Sequence, residues 1–160
     1  MYILGDIGNS ETKVYLVNMK NKIIKSIIFP SKKINEKILN NKFKFLIKDY
    51  TKIDKILFCS VVPKTFNLIK KFISKKIKKR CFEVKELKLK SLINIKVNYN
   101  QVGSDRLANA IGIIDNKSQL SEKYKIFSIL NRRIYMYSKT KNTNKFPKNV
   151  EVIDNFGSDN

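Results

Sequence analysis

Two short stretches carry residues whose types and spacing could do chemistry. The first is Asp6-Ile7-Gly8-Asn9-Ser10-Glu11-Thr12-Lys13. It lies between two apolar runs, Tyr2-Ile3-Leu4 and Val14-Tyr15-Leu16-Val17. Apolar run, polar turn, apolar run reads as a β-hairpin. Gly8 allows a backbone with φ > 0. Asn9, Ser10 and Thr12 offer amides and hydroxyls, and Lys13 offers a cation. Asp6, ending the first strand, is placed to hold a metal ion or an activated water. That inventory suits the grip of a nucleotide phosphate through Mg²⁺. An ordinary polar hairpin turn has the same composition. The second stretch is Val102-Gly103-Ser104-Asp105-Arg106-Leu107-Ala108-Asn109-Ala110. It reads as a helix opening at Gly103–Ser104, with a carboxylate and a guanidinium side by side in the first turn. A surface helix with a dipole-matched Asp would look alike. The crowded Gly and Ala content points instead to close packing and a buried mouth.

Elements must position these two stretches. Residues 22–29 are short and β-branched and end at Pro30, so they extend the hairpin into a three-stranded antiparallel meander. Residues 31–48 switch to helical spacing through Ile34, Ile38, Phe45 and Leu46, with Ser31 as the N-cap. Residues 54–62 form a nearly continuous apolar run, which suits a strand covered on both faces. Pro63 then opens a helix over 63–79, with Phe66, Ile69, Phe72, Ile73 and Ile77 recurring at helical spacing. Its Lys70-Lys71 and Lys75-Lys76 pairs read as a solvated face. Residues 81–86 and 93–99 alternate as strands. From about residue 116 the character changes, and 138–149 is rich in Lys, Asn and Thr without a period. The expected organisation is a domain over 1–115 and a divergent, weakly structured tail over 116–160.

The 160 residues suit one domain, and 42% are hydrophobic, enough for a core. No apolar run approaches the ~20 residues of a membrane span. The N-terminus lacks the pattern of a signal peptide. A cytoplasmic location without a membrane partner is expected. Cys59 and Cys81 match no zinc or redox spacing and sit in apolar surroundings, so both read as buried free thiols. The net charge is +21. Only four of the cations are Arg (Arg80, Arg106, Arg132, Arg133), the better reader of bases and phosphates. Lys, Asn and Ile fill 71 of the 160 positions, a bias that AT-rich codons produce, and the lysines are spread along the chain. No specific nucleic-acid partner is expected.

The hairpin with Asp6-Ile7-Gly8-Asn9-Ser10, then Ser60-Val61-Val62-Pro63, then Gly103-Ser104-Asp105-Arg106, in this order, resembles the type III pantothenate kinases of the acetate/sugar kinase and actin-like superfamily. The resemblance covers residues 1–115. It implies an α/β, ribonuclease-H-like/actin-like domain with a mixed sheet and flanking helices, the second domain of the family being missing. The implied activity is ATP-dependent phosphorylation of pantothenate to 4′-phosphopantothenate, the first step of coenzyme A biosynthesis. By resemblance, Asp6, Ile7, Gly8, Asn9, Ser10, Glu11, Thr12 and Lys13 bind ATP, with Asp6 meeting Mg²⁺ via the phosphates. Ser10 stands where the family carries Thr and keeps the hydroxyl. Gly103, Ser104, Asp105 and Arg106 match the family's pantothenate-binding motif, Asp105 being its general base. Tyr99 is the candidate for a Tyr that contacts pantothenate. The resemblance further implies a monovalent cation (K⁺ or NH₄⁺) and a homodimer for an intact chain. The family's second phosphate motif is echoed only by Asp154-Asn155-Phe156-Gly157-Ser158, which makes Asp154 the cation candidate. This departure opens an alternative: a truncated or frameshifted relative that binds ligand or partner without turnover. A basic nucleic-acid-binding module is the third possibility.

The charge alone predicts nonspecific, salt-sensitive adhesion to polyanions. The chain should be retained on heparin at low salt and released at moderate salt, with no preference between nucleic-acid sequences in a salt-titrated binding assay.

Overall fold

The computed structural model describes residues 1–44, 50–87, 89, 93–95, 98–117 and 150–152. The chain divides into two compact units, Met1–Glu86 and Leu87–Asn160.

The first unit is built on a five-stranded sheet. Strand β1 (Tyr2–Ile7) pairs antiparallel with β2 (Glu11–Val17), which pairs antiparallel with β3 (Ile23–Pro30). On its other side β1 pairs parallel with β4 (Lys55–Ser60), followed by a short parallel β5 (Phe82–Glu83). The order β3-β2-β1-β4-β5 is the mixed, ribonuclease-H-like arrangement expected of an actin-like α/β domain. The meander and the buried strand therefore form as their β-branched runs require. The 81–86 strand is shorter than its alternation suggests, because Val84–Glu86 turns into a 3-10 helix.

Helices cover one face. Helix α1 (Glu36–Lys42) and helix α2 (Pro63–Ile77) contribute Leu39, Phe66, Ile69, Phe72, Ile73 and Ile77 to one apolar cluster, and Phe43, the α1 C-cap, joins it. Facing them from the sheet are Ile3, Ile7, Val14, Leu16, Phe29, Ile56 and Phe58. Phe43 meets Phe29 and Phe72 edge-on, at ring-centroid distances of 6.2 and 5.7 Å, and so ties the outer strand to both helices. Helix α2 starts on Pro63 as expected and ends with Lys78 in the left-handed region at φ 55°. Lys71, Lys75 and Lys76 are exposed. Lys70 is half-buried and pairs with Glu86, and Lys75 reaches Glu36 of α1 at 3.3 Å.

The start of α1 differs from expectation. Ser31 opens a 3-10 turn (Ser31–Lys33), and the α-helix begins at Glu36. Its cap is Asn35, whose side chain accepts from the Ile38 N–H at 2.9 Å. Ser31 is buried and bonded elsewhere, so its hydroxyl cannot cap. Phe45 and Leu46 lie outside the described residues.

Gly5 sets how closely the central strands approach. It is the register partner of Phe58, and a Cβ added there would overlap the Phe58 ring. Phe58 is fully buried, so the ring has nowhere to move. Glycine inside a strand commonly marks this kind of close approach.

In the second unit, β6 (Ile93–Ile95) pairs antiparallel with β7 (Val150–Val152), a strand contributed from within the segment read as a tail. Helix α3 (Ser104–Lys117) opens where the sequence indicates.

Gly5→Ala should destabilise the chain by about 1–3 kcal/mol through overpacking, read as a lower urea midpoint. Both cysteines are buried thiols outside any disulfide, as expected. Burial pushes the Cys81 thiol up to about 12, while Lys70 pulls it down and Glu86 raises it. Its folded value lies above its unfolded one. Stability from this site is therefore complete below pH ~9 and falls as the pH rises from there towards 12. Cys81→Val should flatten that alkaline decline in pH-dependent denaturation.

Candidate functional site

In the first unit the site is built around Asp6. Cross-strand partners point to one face of a sheet, and β1 places Lys13 opposite Asp6 on one side and Cys59 opposite it on the other. Asp6 is half-buried, and the Cys59 Sγ–H donates to Asp6 Oδ1 at 3.4 Å. Lys13 is only 6% exposed, unusual for a lysine. A carboxylate, an amine and a thiol thus share three neighbouring strands at the mouth of the hairpin. They lie on the face opposite the helix-covered core, beside buried Leu4, Val17 and Leu57.

The turn is Gly8–Ser10, closed by the Gly8 N–H donating to the Glu11 carbonyl at 3.0 Å. No glycine among the described residues has positive φ, so the reason expected for Gly8 is corrected. At Gly8 the constraint is proximity: a Cβ there would stand 3.2 Å from the Glu11 carbonyl oxygen, tighter than an ordinary contact. Asn9, Ser10 and Glu11 are exposed and form the accessible rim, whereas Ile7 and Thr12 turn into the core. Thr12 therefore supports the turn from beneath. Its hydroxyl lies 2.8 Å from the Ser31 hydroxyl, both groups being buried. The Ser31 N–H donates to the Ser10 carbonyl at 2.9 Å, and the Thr65 hydroxyl donates to the Ser31 carbonyl at 3.5 Å. Ser31 is thus the knot that ties the turn to the end of β3 and to the first turn of α2. The Ser60–Pro63 junction abuts the same turn, with the Val61 N–H donating to the Ile7 carbonyl at 3.0 Å.

The contacts of Ser31, Cys59 and Thr65 are not legible in the sequence. Nothing local marks them, because their partners lie 19 to 53 residues away along the chain.

The second unit carries the other motif. Gly103 precedes α3, and its carbonyl accepts from the N–H groups of Arg106 and Leu107 at 3.1 and 3.2 Å. A Cβ on Gly103 would collide with Asp105 Oδ1, so the Asp105 carboxylate folds back against the glycine backbone. A carboxylate in the first turn suits the positive end of the helix dipole. Ser104 is buried, Asp105 half-buried and Arg106 exposed. Leu107, Ala108, Ala110 and Ile111 are buried, which gives the close packing expected of small residues. Tyr99 is half-buried in a 3-10 turn (Tyr99–Gln101), and its carbonyl accepts from the Val102 N–H at 3.2 Å. Tyr99, Gly103, Ser104, Asp105 and Arg106 are thereby held in one short segment. Asp154 lies outside the described residues.

Among the described residues no cluster of three or more His, Cys, Asp or Glu side chains could cage a metal. No helix among them is long and apolar enough to cross a membrane.

Residues 2–121 match the family described as type III pantothenate kinase. A protein of Pelagibacter ubique (strain HTCC1062) named type III pantothenate kinase is 58% identical over 117 residues, which is 73% of this chain and 47% of that protein. The chain thus spans about half the length of the curated relative it matches. The hairpin turn, the five-stranded sheet and the Gly103–Arg106 helix opening all fall inside the matched segment. By the order of its motifs, its strand order and this match, the chain belongs to the type III pantothenate kinase family.

Proposed function

We propose that this chain acts in the ATP-dependent phosphorylation of pantothenate to 4′-phosphopantothenate, entering coenzyme A biosynthesis in the cytoplasm. The observation that carries the reading is Gly103-Ser104-Asp105-Arg106 at the opening of α3, inside a family match over residues 2–121. Asp105 is the general base. It accepts the proton of the pantothenate primary hydroxyl as that oxygen attacks the γ-phosphorus, and the bond from the γ-phosphorus to the bridging oxygen breaks to release ADP. The Asp105 carboxylate lies against Gly103 at the opening of α3, and a base there acts when the substrate hydroxyl comes within hydrogen-bond reach. Arg106 is exposed and free to orient towards substrate, where it holds pantothenate, with Ser104 and Tyr99 completing that side.

The Asp6 hairpin is the nucleotide side. Its exposed rim, Asn9 to Glu11, meets the ATP phosphates, with Gly8 letting the backbone turn tightly enough to approach them. Lys13 and Asp6 supply a cation and a carboxylate from adjacent strands. A single half-buried carboxylate fits Mg²⁺, which keeps several waters and uses one or two carboxylates plus substrate phosphates. When bound, Mg²⁺ neutralises charge on the phosphates. The monovalent cation and the homodimer belong to the same reading, with Asp154 as the cation candidate.

The test is phosphoryl transfer by the purified chain with ATP, pantothenate, Mg²⁺ and K⁺ or NH₄⁺. Asp105→Asn should lower kcat by about 10²–10⁴-fold, and Asp6→Asn should raise the Mg²⁺ requirement. Turnover that survives Asp105→Asn would remove the proposed base. Calorimetric binding of pantothenate and ATP without product would assign the chain to ligand binding instead.

A further inference from the structure

Helix α3 carries a polar atom that the fold leaves without a partner. Asn109 Oδ1 is buried and makes no hydrogen bond, one of two such side-chain atoms among the described residues. The other, Glu83 Oε1, belongs to a carboxylate whose second oxygen accepts the Lys85 N–H at 2.7 Å. Asn109 differs, because its amide has a single acceptor oxygen and that oxygen is unused. A buried acceptor without a donor costs the desolvation of the group, and such atoms are rare in native folds.

Position gives this atom a meaning. Asn109 follows Asp105 by four residues, so both lie on one stripe of α3. Their neighbours Leu107, Ala108, Ala110 and Ile111 are buried and apolar, whereas Asp105 and Asn109 are only half-buried as residues. The stripe therefore sets these two polar groups apart from the buried apolar side chains around them. It presents a carboxylate and, roughly 6 Å further along the axis, an amide carbonyl. Two acceptors at that separation suit one ligand that brings two donors.

We propose that Asn109 is a further substrate-contacting residue, whose carbonyl accepts a hydrogen bond from the molecule whose hydroxyl Asp105 deprotonates. The inference rests on the pantothenate reading above and deepens it. The ligand class is a hydroxy-amide: a primary hydroxyl at Asp105, and a second donor a few bonds away at Asn109. In pantothenate the amide N–H is the donor at the matching separation. Asn109 thus selects for a secondary amide, and an ester or a tertiary amide in its place leaves the carbonyl unsatisfied.

The experiment measures urea unfolding and calorimetric affinity of the whole chain for pantothenate and for its ester analogue, in which oxygen replaces the amide N–H. Wild type and Asn109→Ala are compared. Unliganded Asn109→Ala should be as stable as wild type or more so, since the Asn109 Oδ1 makes no bond within the fold. Its affinity for pantothenate should fall about tenfold, the effect of one unmatched polar contact. Wild type should lose a similar factor with the ester, and Asn109→Ala should lose little more, because the same contact is already gone. A clear loss of unliganded stability would mark Asn109 as a structural residue completed by water and overturn the inference. Equal pantothenate affinity in the two proteins would overturn it while leaving the pantothenate reading intact. If wild type fails to bind pantothenate, that reading falls and the inference with it.

Discussion

Strand β1 is paired along all six residues on both sides, antiparallel to β2 and parallel to β4, and the first unit depends on that constraint. A strand paired twice cannot slip without flipping its side chains to the wrong face. Ile3 and Ile7 belong to the core under the helices, so the register is locked by burial. Asp6 is then forced onto the opposite face, between Lys13 and Cys59. Gly5 lets this happen, because only a residue without a side chain leaves room for the Phe58 ring that anchors β4. The Asp6 carboxylate is thus placed by the packing of its strand.

The turn after β1 is held by a different kind of interaction. Thr12, Ser31 and Thr65 bring hydroxyls from a strand, a 3-10 turn and a helix into a buried chain beneath it. Each such bond is worth only about 1 kcal/mol net, but losing a partner strands a buried hydroxyl at higher cost. The turn is therefore stiff below and exposed above, where Asn9, Ser10 and Glu11 meet solvent. This division suits a loop that must present backbone and side-chain donors to an anion without rearranging. At the α3 opening the Asp105 carboxylate lies where a side chain on Gly103 would stand.

Much of this was legible in the sequence for physical reasons that can be named. The short apolar runs around residues 2–6, 12–18 and 54–62 read as strands, and Pro63 marks a helix start because it lacks an N–H. The opening at Gly103–Ser104 was readable from its crowd of small residues. Ser31 was misread because capping is judged locally, whereas its hydroxyl answers to Thr12 across the sheet. Gly8 has no positive φ, and its close approach to the Glu11 carbonyl shows only in the folded turn. Cys59 looked inert because only the β1–β4 register reveals that its thiol meets Asp6. Each of these depends on pairing between distant segments, which periodicity does not encode.

In the function proposed for this chain, the Asp6 hairpin grips nucleotide phosphates. The most direct measurement is a titration of the ¹⁵N-labelled chain with ATP and Mg²⁺ at moderate salt, followed by amide shifts. The expected result is that the amides of Gly8, Asn9, Ser10 and Glu11 move most, and move less when Mg²⁺ is withheld. Shifts scattered over the lysine-rich surface, with the hairpin amides unmoved, would contradict it.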